Sequence, residues 1–200
     1  MTSKIVGVTG GMGSGKSVVR QMLQALGVPC LDGDMVAREI HQQPGHPALA
    51  EVALAFPHAM TPDGRLSRGS LHRIFALDPA ANERLKAILG PYVIGQMTQW
   101  AAQQKTPYVA WESALIIEAN IPVDRVLLVD ASREFQVARV QQRNPYWSVA
   151  QIENILALQM DRADRAHHAH DTICNDGSLE DVQRQVETLH RTYLELWGAA

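Results

Sequence analysis

The sequence that decides the fold is Gly10-Gly11-Met12-Gly13-Ser14-Gly15-Lys16-Ser17, directly behind the apolar run Ile5-Val6-Gly7-Val8-Thr9. It fits the pattern G-x-x-x-x-G-K-[ST] of a phosphate-binding loop between a strand and a helix. Several backbone N–H groups can converge on a polyphosphate only where a loop lacks bulky side chains and tolerates positive φ. The four glycines of this loop provide that freedom. The sequence therefore predicts that the chain binds a nucleoside triphosphate.

Two side chains at the end of the loop have specific tasks in such a site. Lys16 can reach the β- and γ-phosphates as a point charge, and the Ser17 hydroxyl can ligate Mg²⁺. A helix predicted over residues 18–26 would turn its N-terminal dipole towards the anion. A plain glycine-rich turn would explain the glycines alone, but not the lysine, strand and helix together. The residues expected at the phosphates are Gly11, Met12, Gly13, Ser14, Gly15, Lys16 and Ser17.

Length and composition favour one globular domain. The chain has 200 residues, 46% hydrophobic and 20% charged, enough for a sizeable core. Lys and Arg number 18 against 21 Asp and Glu, without a long basic run, so nucleic acid is not an expected partner. No apolar stretch approaches the length of a signal peptide or a membrane span, so we expect a cytoplasmic protein without a membrane partner.

Short apolar segments alternate with helical segments along the chain. The predicted strands are residues 4–9, 28–31, 107–112, 125–130 and 171–174. Because strands that alternate with helices form parallel sheets covered on both faces, we predict an α/β fold with a five-stranded parallel sheet. Its core would comprise residues 1–43, 105–138 and 166–200.

The stretch 44–104 between the second and third strands is long and helical, with a break at Thr61-Pro62-Asp63-Gly64. It exceeds what a crossover between neighbouring strands requires, so we expect it to form a wall of the second substrate's site.

Four arginines, Arg139, Arg143, Arg162 and Arg165, flank a helix that Ser148 begins through a Ser-x-x-Gln capping box. Phosphoryl transfer needs cations around the γ-phosphate and exclusion of water, which a closing arm can provide. We interpret residues 139–165 as such a lid. The alternative is a solvated helix face with ion pairs along it.

Acidic residues follow the ends of several predicted strands. Asp32 and Asp34 lie where open α/β sheets bind ligands, and Asp34 could accept the proton of an attacking hydroxyl. Asp34 could instead be a helix N-cap, and Asp32 could cap the helix or contact Mg²⁺ through water. Glu112 ends the third strand and could hold the water shell of Mg²⁺. Asp130 competes for that role, and we prefer Glu112.

Further motifs occur in a fixed order and cover nearly the whole chain. They are Thr9–Ser17 for T-G-G-I-G-S-G-K-S/T, Asp32-Gly33-Asp34 for D-A-D, residues 63–71 for D-G-x-L-D-R-x-x-L, residues 136–143 for Q-x-x-R-x-x-x-R, then Gln159 and Asn175. In this order they resemble the dephospho-CoA kinase family, whose fold is that of the P-loop nucleoside monophosphate kinases.

The resemblance implies transfer of the γ-phosphate of ATP to the ribose 3′-hydroxyl of dephospho-CoA, with Mg²⁺, in the last step of coenzyme A synthesis. It implies that Arg139, Arg143 and Asn175 act at ATP, the two arginines as lid cations during transfer. It implies dephospho-CoA contacts for Asp32, Asp34, Arg38 and Arg68, and a monomer or weak homo-oligomer. The residues alone also allow a nucleoside or nucleotide kinase, or a nucleotide-sensing P-loop adaptor.

The chain departs from the family pattern outside the phosphate loop. Gly90 replaces the histidine of H-P, Ser67 replaces the aspartate of L-D-R, and Glu112 stands where aspartate is frequent. The A-D before the last strand reads Ala169-His170-Asp171. We expect these changes to affect the binding of the acceptor rather than the type of reaction.

Overall fold

A five-stranded sheet with the order β2-β3-β1-β4-β5 positions the phosphate loop. The strands are β1 Lys4–Thr9, β2 Cys30–Asp32, β3 Tyr108–Glu112, β4 Arg125–Asp130 and β5 Asp171–Cys174. The pairs β1–β3, β1–β4 and β4–β5 are parallel. This computed structural model describes residues 2–78 and 80–198, without the side chains of Arg68 and His72. The predicted α/β fold with a five-stranded parallel sheet is confirmed.

Helices connect and surround the strands. They are α1 Lys16–Ala25, α2 Gly33–Gln42, α3 Pro47–Ala55, α4 Arg68–Leu77, α5 Ala80–Ala102, α6 Arg133–Arg143, α7 Val149–Ala157, α8 Arg162–His167 and α9 Leu179–Trp197, with a 3₁₀ turn at Pro57–Ala59. The predicted capping box at Ser148 begins α7, and a second one at Ser178 begins α9. Both helices therefore start where their sequences satisfy the first free backbone N–H groups.

The second strand begins two residues later than predicted. Val28 donates its N–H back to the carbonyl of Leu23, and Gly27 donates to Gln24 with φ at 84°. These bonds close the C-terminus of α1, in the manner of helices that end on a left-handed glycine. Val28 is thus part of the helix terminus, and β2 starts only after Pro29.

The chain divides into two compact units. One contains the residues up to 31 and from 101 onward, and the other contains residues 32–100. The predicted insertion 44–104 covers most of the second unit, which begins earlier, at Asp32. The lid expected at 139–165 lies in the first unit, and its first residue falls inside the continuous helix α6.

The core of the first unit fixes α1 behind the sheet. Val6 and Val8 of β1 face the same side of the sheet, because alternate residues of a strand do. Both are fully buried. They cluster with residues of α1 and α9: Val19, Leu23, Val182 and Val186. The apolar face of α1 is thereby anchored, which holds its N-terminus at the loop.

The second unit consists of α2 to α4 and most of α5. The predicted break at 61–64 is a turn in which Thr61 accepts a hydrogen bond from Arg65 N and donates one to Asp63. The helix α5 continues through Pro91, and Gly90 precedes that proline. A side chain before proline crowds the proline ring in helical backbone, which a glycine avoids.

A polar network behind the sheet joins β4, β5 and α9. Arg125 donates to both oxygens of Asp171, at 2.5 and 3.0 Å, and the Tyr193 hydroxyl donates to Asp171 at 2.8 Å. Burial by itself would raise the pKa of Asp171, but the hydrogen bonds from Arg125 and Tyr193 outweigh it and lower that pKa. The carboxylate is therefore charged in the folded protein at neutral pH.

Asp171→Asn should lower the free energy of unfolding at neutral pH by about 1.5–3 kcal/mol, since it weakens a charged hydrogen-bond network. The contribution of Asp171 is present above its pKa in the unfolded chain and is lost as the pH falls through its lowered folded pKa. Urea unfolding from neutral pH down to about pH 3 measures both effects. Asp63→Asn, which removes an exposed ion pair with Arg65, is the control; equal losses in both variants would contradict the prediction.

Candidate active site

The loop between β1 and α1 has the backbone of a phosphate site. Gly13 and Gly15 have φ of 77° and 98°, and Gly15 is the left-handed residue from which α1 begins. A Cβ atom at Gly15 would lie 2.1 Å from Nδ2 of Asn175, so only glycine fits there. The loop thus has the strand and helix context that its pattern requires.

Lys16 lies over the first residues of the loop. Its ammonium donates to the carbonyls of Gly10 and Gly11, at 2.8 and 3.1 Å. The side chain of Lys16 therefore turns back over the start of the loop, which is where the lysine of this motif is expected. The helix begins at Lys16 itself, two residues earlier than predicted.

Asn175 and Arg139 hold the loop from its outer side. Asn175 is 4% exposed and donates Nδ2–H to the carbonyl of Ser14 at 2.7 Å. Arg139 donates to the carbonyl of Asn175 at 2.7 Å and contacts that of Gly13 at 3.5 Å. Arg139 and Asn175, which the sequence analysis assigned to ATP, thus lie together, and both hydrogen-bond to the loop or to each other.

Two glutamines that sequence reasoning left without a role lie against the same loop. Gln159 accepts the Met12 N–H at 3.0 Å, and a Cβ at Gly11 would lie 2.5 Å from Nε2 of Gln136. The Met12 side chain packs against an apolar cluster on α6 and α7, formed by Val137, Val140, Ile152 and Leu156. The one available signal was the position of both glutamines in the family motifs.

The remaining lid arginines differ in their surroundings. Arg143 is exposed, and its side chain forms no hydrogen bond or ion pair within the described part of the chain. Arg162 donates to both oxygens of Asp130, at 2.6 to 3.0 Å. Arg165 is buried and pairs with Glu118 at 3.2 Å. Nη1 of Arg165 would lie 3.3 Å from a Cβ atom on Gly11.

Glu112 lies at the carboxyl end of β3, in register with Val8 of β1. Its Oε2 accepts Nε–H of Arg20 at 2.5 Å, and the residue is 8% exposed. Asp130, the competing acid, instead accepts the guanidinium of Arg162 with both oxygens. Sequence reasoning missed Arg20, although its position one turn after Lys16 in α1 places it near the loop.

Cys30 lies close to this acid and base pair. Its thiol donates to the carbonyl of Val28 at 3.3 Å. Burial, opposed by Arg20 and assisted by Glu112, raises the pKa of the Cys30 thiol to about 12. The thiol is therefore protonated at neutral pH, and a protonated thiol is a poor nucleophile.

The donor set of this loop fits a magnesium ion. Ser17 offers a hydroxyl and Glu112 a carboxylate, which are the oxygen ligands that Mg²⁺ prefers. The hydroxyls of Thr9 and Ser14 are buried without a hydrogen-bond partner among the described residues, so the loop holds further unsatisfied oxygens.

Asp32 is the N-cap of α2 in the second unit. Its Oδ1 accepts the N–H groups of Asp34 and Met35, at 2.9 and 3.2 Å. The alternative that Asp34 caps this helix is therefore wrong. Asp34 is exposed, and its carboxylate has no hydrogen bond or ion pair within residues 2–78 and 80–198. Arg38, one turn further along α2, is also exposed.

Ser67 and His170, two of the departures from the family pattern, accept hydrogen bonds from the backbone. Ser67 is the N-cap of α4 and accepts the N–H of Ser70 at 3.3 Å, a task that aspartate performs equally well. His170 accepts the N–H of Val126 through Nδ1 at 3.0 Å. Arg68 is the first residue of α4, and its side chain lies outside the described part of the structure.

The comparison with known families agrees with this loop and its surroundings. A model of the dephospho-CoA kinase family matches residues 4–181. The chain belongs to the dephospho-CoA kinase family. The dephospho-CoA kinase of Sodalis glossinidius is 43% identical over 204 residues, covering 100% of this chain and 97% of the relative. That of Acinetobacter baylyi is 40% identical, covering 95% and 98%.

Solved structures with a similar fold include a dephospho-CoA kinase. The crystal structure of TT1252 from Thermus thermophilus has a TM-score of 0.81 and 30% identity, and covers 96% of this chain and 98% of its own. A dephospho-CoA kinase from Campylobacter jejuni has a TM-score of 0.61 at 19% identity with the same coverage, which shows the fold alone. Membership of this kinase family confirms the prediction of an ATP-dependent phosphotransferase. None of the helices described here is long and apolar enough to span a bilayer.

Asn175→Ala should weaken ATP binding about tenfold, a loss of about 1.4 kcal/mol. The carbonyl of Ser14 loses its donor at 2.7 Å, and Arg139 loses its contact with Oδ1 at 3.3 Å while it keeps the bond to the main-chain carbonyl at position 175. Equilibrium binding of a non-hydrolysable ATP analogue measures it. The control is Gln185→Ala, which removes side-chain hydrogen bonds to the backbone of Cys174 on β5 and none to the loop. Equal ATP affinity in the two variants would refute the supporting role of Asn175.

Proposed function

We propose that this chain transfers the γ-phosphate of ATP to the ribose 3′-hydroxyl of dephospho-CoA. The observation that carries the proposal is the match of the dephospho-CoA kinase family model to residues 4–181, which include the loop and α1. The geometry of Lys16, with its ammonium at the first carbonyls of the loop, supports the phosphoryl transfer itself.

ATP binds through the loop residues 11–17 in this proposal. Their N–H groups and the N-terminus of α1 hold the phosphates, and Lys16 neutralises the β- and γ-phosphate oxygens. Arg139 and Asn175 contact the nucleotide while they hold the loop, and the exposed Arg143 adds a cation. The hydrogen bonds of Asn175 to Ser14 and of Arg139 to Asn175 support their place at this site.

Ser17 would hold Mg²⁺ directly, and Glu112 would hold it through water. When bound, the ion shields the charge of the phosphate oxygens. Arg20 orients the Glu112 carboxylate by its hydrogen bond to Oε2.

Asp34 is the proposed general base. The 3′-hydroxyl oxygen forms a bond to the γ-phosphorus as the bond from that phosphorus to the β–γ bridging oxygen breaks, and the hydroxyl proton passes to Asp34. The exposure of the Asp34 carboxylate, together with its lack of a partner in the described part of the chain, supports this role. Asp32 orients the first turn of α2 by capping it.

Cations of the second unit are proposed to bind the acceptor. Arg38 is exposed one turn after Asp34, and Arg68 begins α4. Guanidinium groups suit phosphate oxygens because they donate in a planar fork. Asp32 and Asp34 would complete this set through the acceptor's ribose.

Turnover of ATP with dephospho-CoA, AMP and adenosine as competing acceptors tests the function. We expect the 3′-phosphorylated product from dephospho-CoA to dominate the mixture. Preferred transfer to AMP or adenosine would replace the proposal by a nucleotide or nucleoside kinase. ATP binding with no transfer to any acceptor would indicate a sensor.

Lys16→Ala and Asp34→Asn should both reduce turnover by at least about a hundredfold, but they should differ in binding. Lys16 contacts the phosphates in the ground state and the transition state, so its loss also weakens ATP binding. Asp34 acts on the acceptor hydroxyl, so its loss leaves ATP binding intact. Steady-state kinetics and equilibrium binding separate the two effects.

The control for the base is Glu39→Gln, an exposed carboxylate on the same helix. It should leave kcat unchanged. Wild-type activity in Asp34→Asn would remove Asp34 from the mechanism, and an equal loss in Glu39→Gln would indicate a general effect of charge on α2.

A further inference from the structure

Arg165 is the most buried cation near the loop. It lies on α8 and is 6% exposed. A Cβ atom on Gly11 would lie 3.3 Å from its Nη1, so the guanidinium lies against the loop backbone. Arg139 instead supports Gly13 and Asn175, and Arg143 is exposed.

The hydrogen bonds of this guanidinium are incomplete. Nη2 pairs with Oε1 of Glu118 at 3.2 Å, and the buried Nε has no partner among the described residues. A buried charge is costly unless its donors are satisfied, and a group that retains spare donors in a folded protein calls for an explanation. A phosphate oxygen is an acceptor that would satisfy them.

The position of Arg165 indicates which phosphate this would be. The Lys16 ammonium contacts the carbonyls of Gly10 and Gly11, and in such loops that ammonium reaches the β- and γ-phosphates. Arg165 lies against the same Gly11. Lys16 and Arg165 therefore contact the same end of the loop from two elements.

Backbone hydrogen bonds and one buried side chain hold the turn that carries Glu118. It belongs to the segment between β3 and β4, where Ala119 N–H donates to Leu115 and Ile121 N–H to Ile116. Ile116 is 2% exposed and anchors this turn. The Glu118 carboxylate, with its side chain 25% exposed, thus restrains a guanidinium whose side chain is 7% exposed.

We propose that Arg165 is a further catalytic residue, which donates hydrogen bonds to the γ-phosphoryl group, and that Glu118 is its positioning residue. This inference rests on the proposed phosphoryl transfer. As the bond from the γ-phosphorus to the bridging oxygen breaks and that to the acceptor oxygen forms, negative charge grows on the bridging oxygen, and Arg165 offsets the charge of the phosphoryl oxygens beside it. The electron pair of the broken bond stays on the β-phosphate, and Arg165 keeps its protons throughout.

The variants that test this are Arg165→Ala, Arg165→Lys and Glu118→Gln, with Glu153→Gln as the matched control. Glu153 lies in the same lid region and pairs with Arg133 at the start of α6, with both side chains 43% exposed. For each variant, kcat, KM for ATP, equilibrium binding of an ATP analogue and the midpoint of thermal unfolding are measured. Hydrolysis of ATP without an acceptor is measured as well.

Arg165→Ala should lower kcat by about a hundredfold or more and ATP affinity by clearly less, because its contact with the γ-phosphoryl group strengthens in the transition state. Millimolar guanidinium chloride should restore part of this activity, since the variant leaves a buried space of matching shape and charge. It should not restore Lys16→Ala. Arg165→Lys should keep part of kcat, and Glu118→Gln should lose about tenfold in kcat with KM for ATP unchanged.

A kcat for Arg165→Ala near the wild-type value would overturn the proposal, as would a parallel fall of ATP affinity without rescue by guanidinium. If Arg165→Ala does not fold, wild-type kcat in both Arg165→Lys and Glu118→Gln would overturn it. A wild-type protein that hydrolyses ATP but does not phosphorylate dephospho-CoA would refute the proposed acceptor only. The effect of Arg165 on ATP hydrolysis would then still decide the inference.

Discussion

Convergence of backbone N–H groups on one anion is the constraint around which the first unit is built. Glycines make the necessary loop conformation accessible, but they also give the unfolded loop the greatest freedom to lose. Contacts from distant parts of the chain must therefore hold the loop in shape. Asn175 at Ser14, Arg139 at Gly13 and Gln159 at Met12 do so from β5, α6 and the end of α7.

The sequence was sufficient to predict those strands whose ends are marked by turn-forming residues next to a short apolar run. The strands β1, β4 and β5 have the predicted bounds, because each is a short apolar run between turn signals. The start of β2 was wrong, because the N–H of Val28 closes a helix rather than joining a sheet. Gly27 was the local signal for that helix end, because a glycine directly after a helix is typical of this C-terminal motif.

The sequence was sufficient to predict the phosphate loop, but not the side chains that contact it from distant parts of the chain. Lys16 and Ser17 follow from a motif of eight residues. The contacts of Gln159 and Arg165 join positions about 150 residues apart in sequence, which only the folded chain brings together. The choice between Asp32 and Asp34 as helix cap likewise required the backbone, because both residue types and both spacings suit an N-cap.

The packing of Met12 has a kinetic consequence. Its side chain belongs to both the phosphate loop and the apolar cluster of α6 and α7. A motion that carries α7 away from the loop must expose this thioether and its neighbours to water, at about 25 cal/mol for each Å² of apolar surface. That cost adds to the barrier for opening. If residues 139–165 open as the lid expected from the sequence, the residence time of a bound nucleotide depends in part on a hydrophobic contact that touches no phosphate, and a smaller residue at position 12 would shorten it.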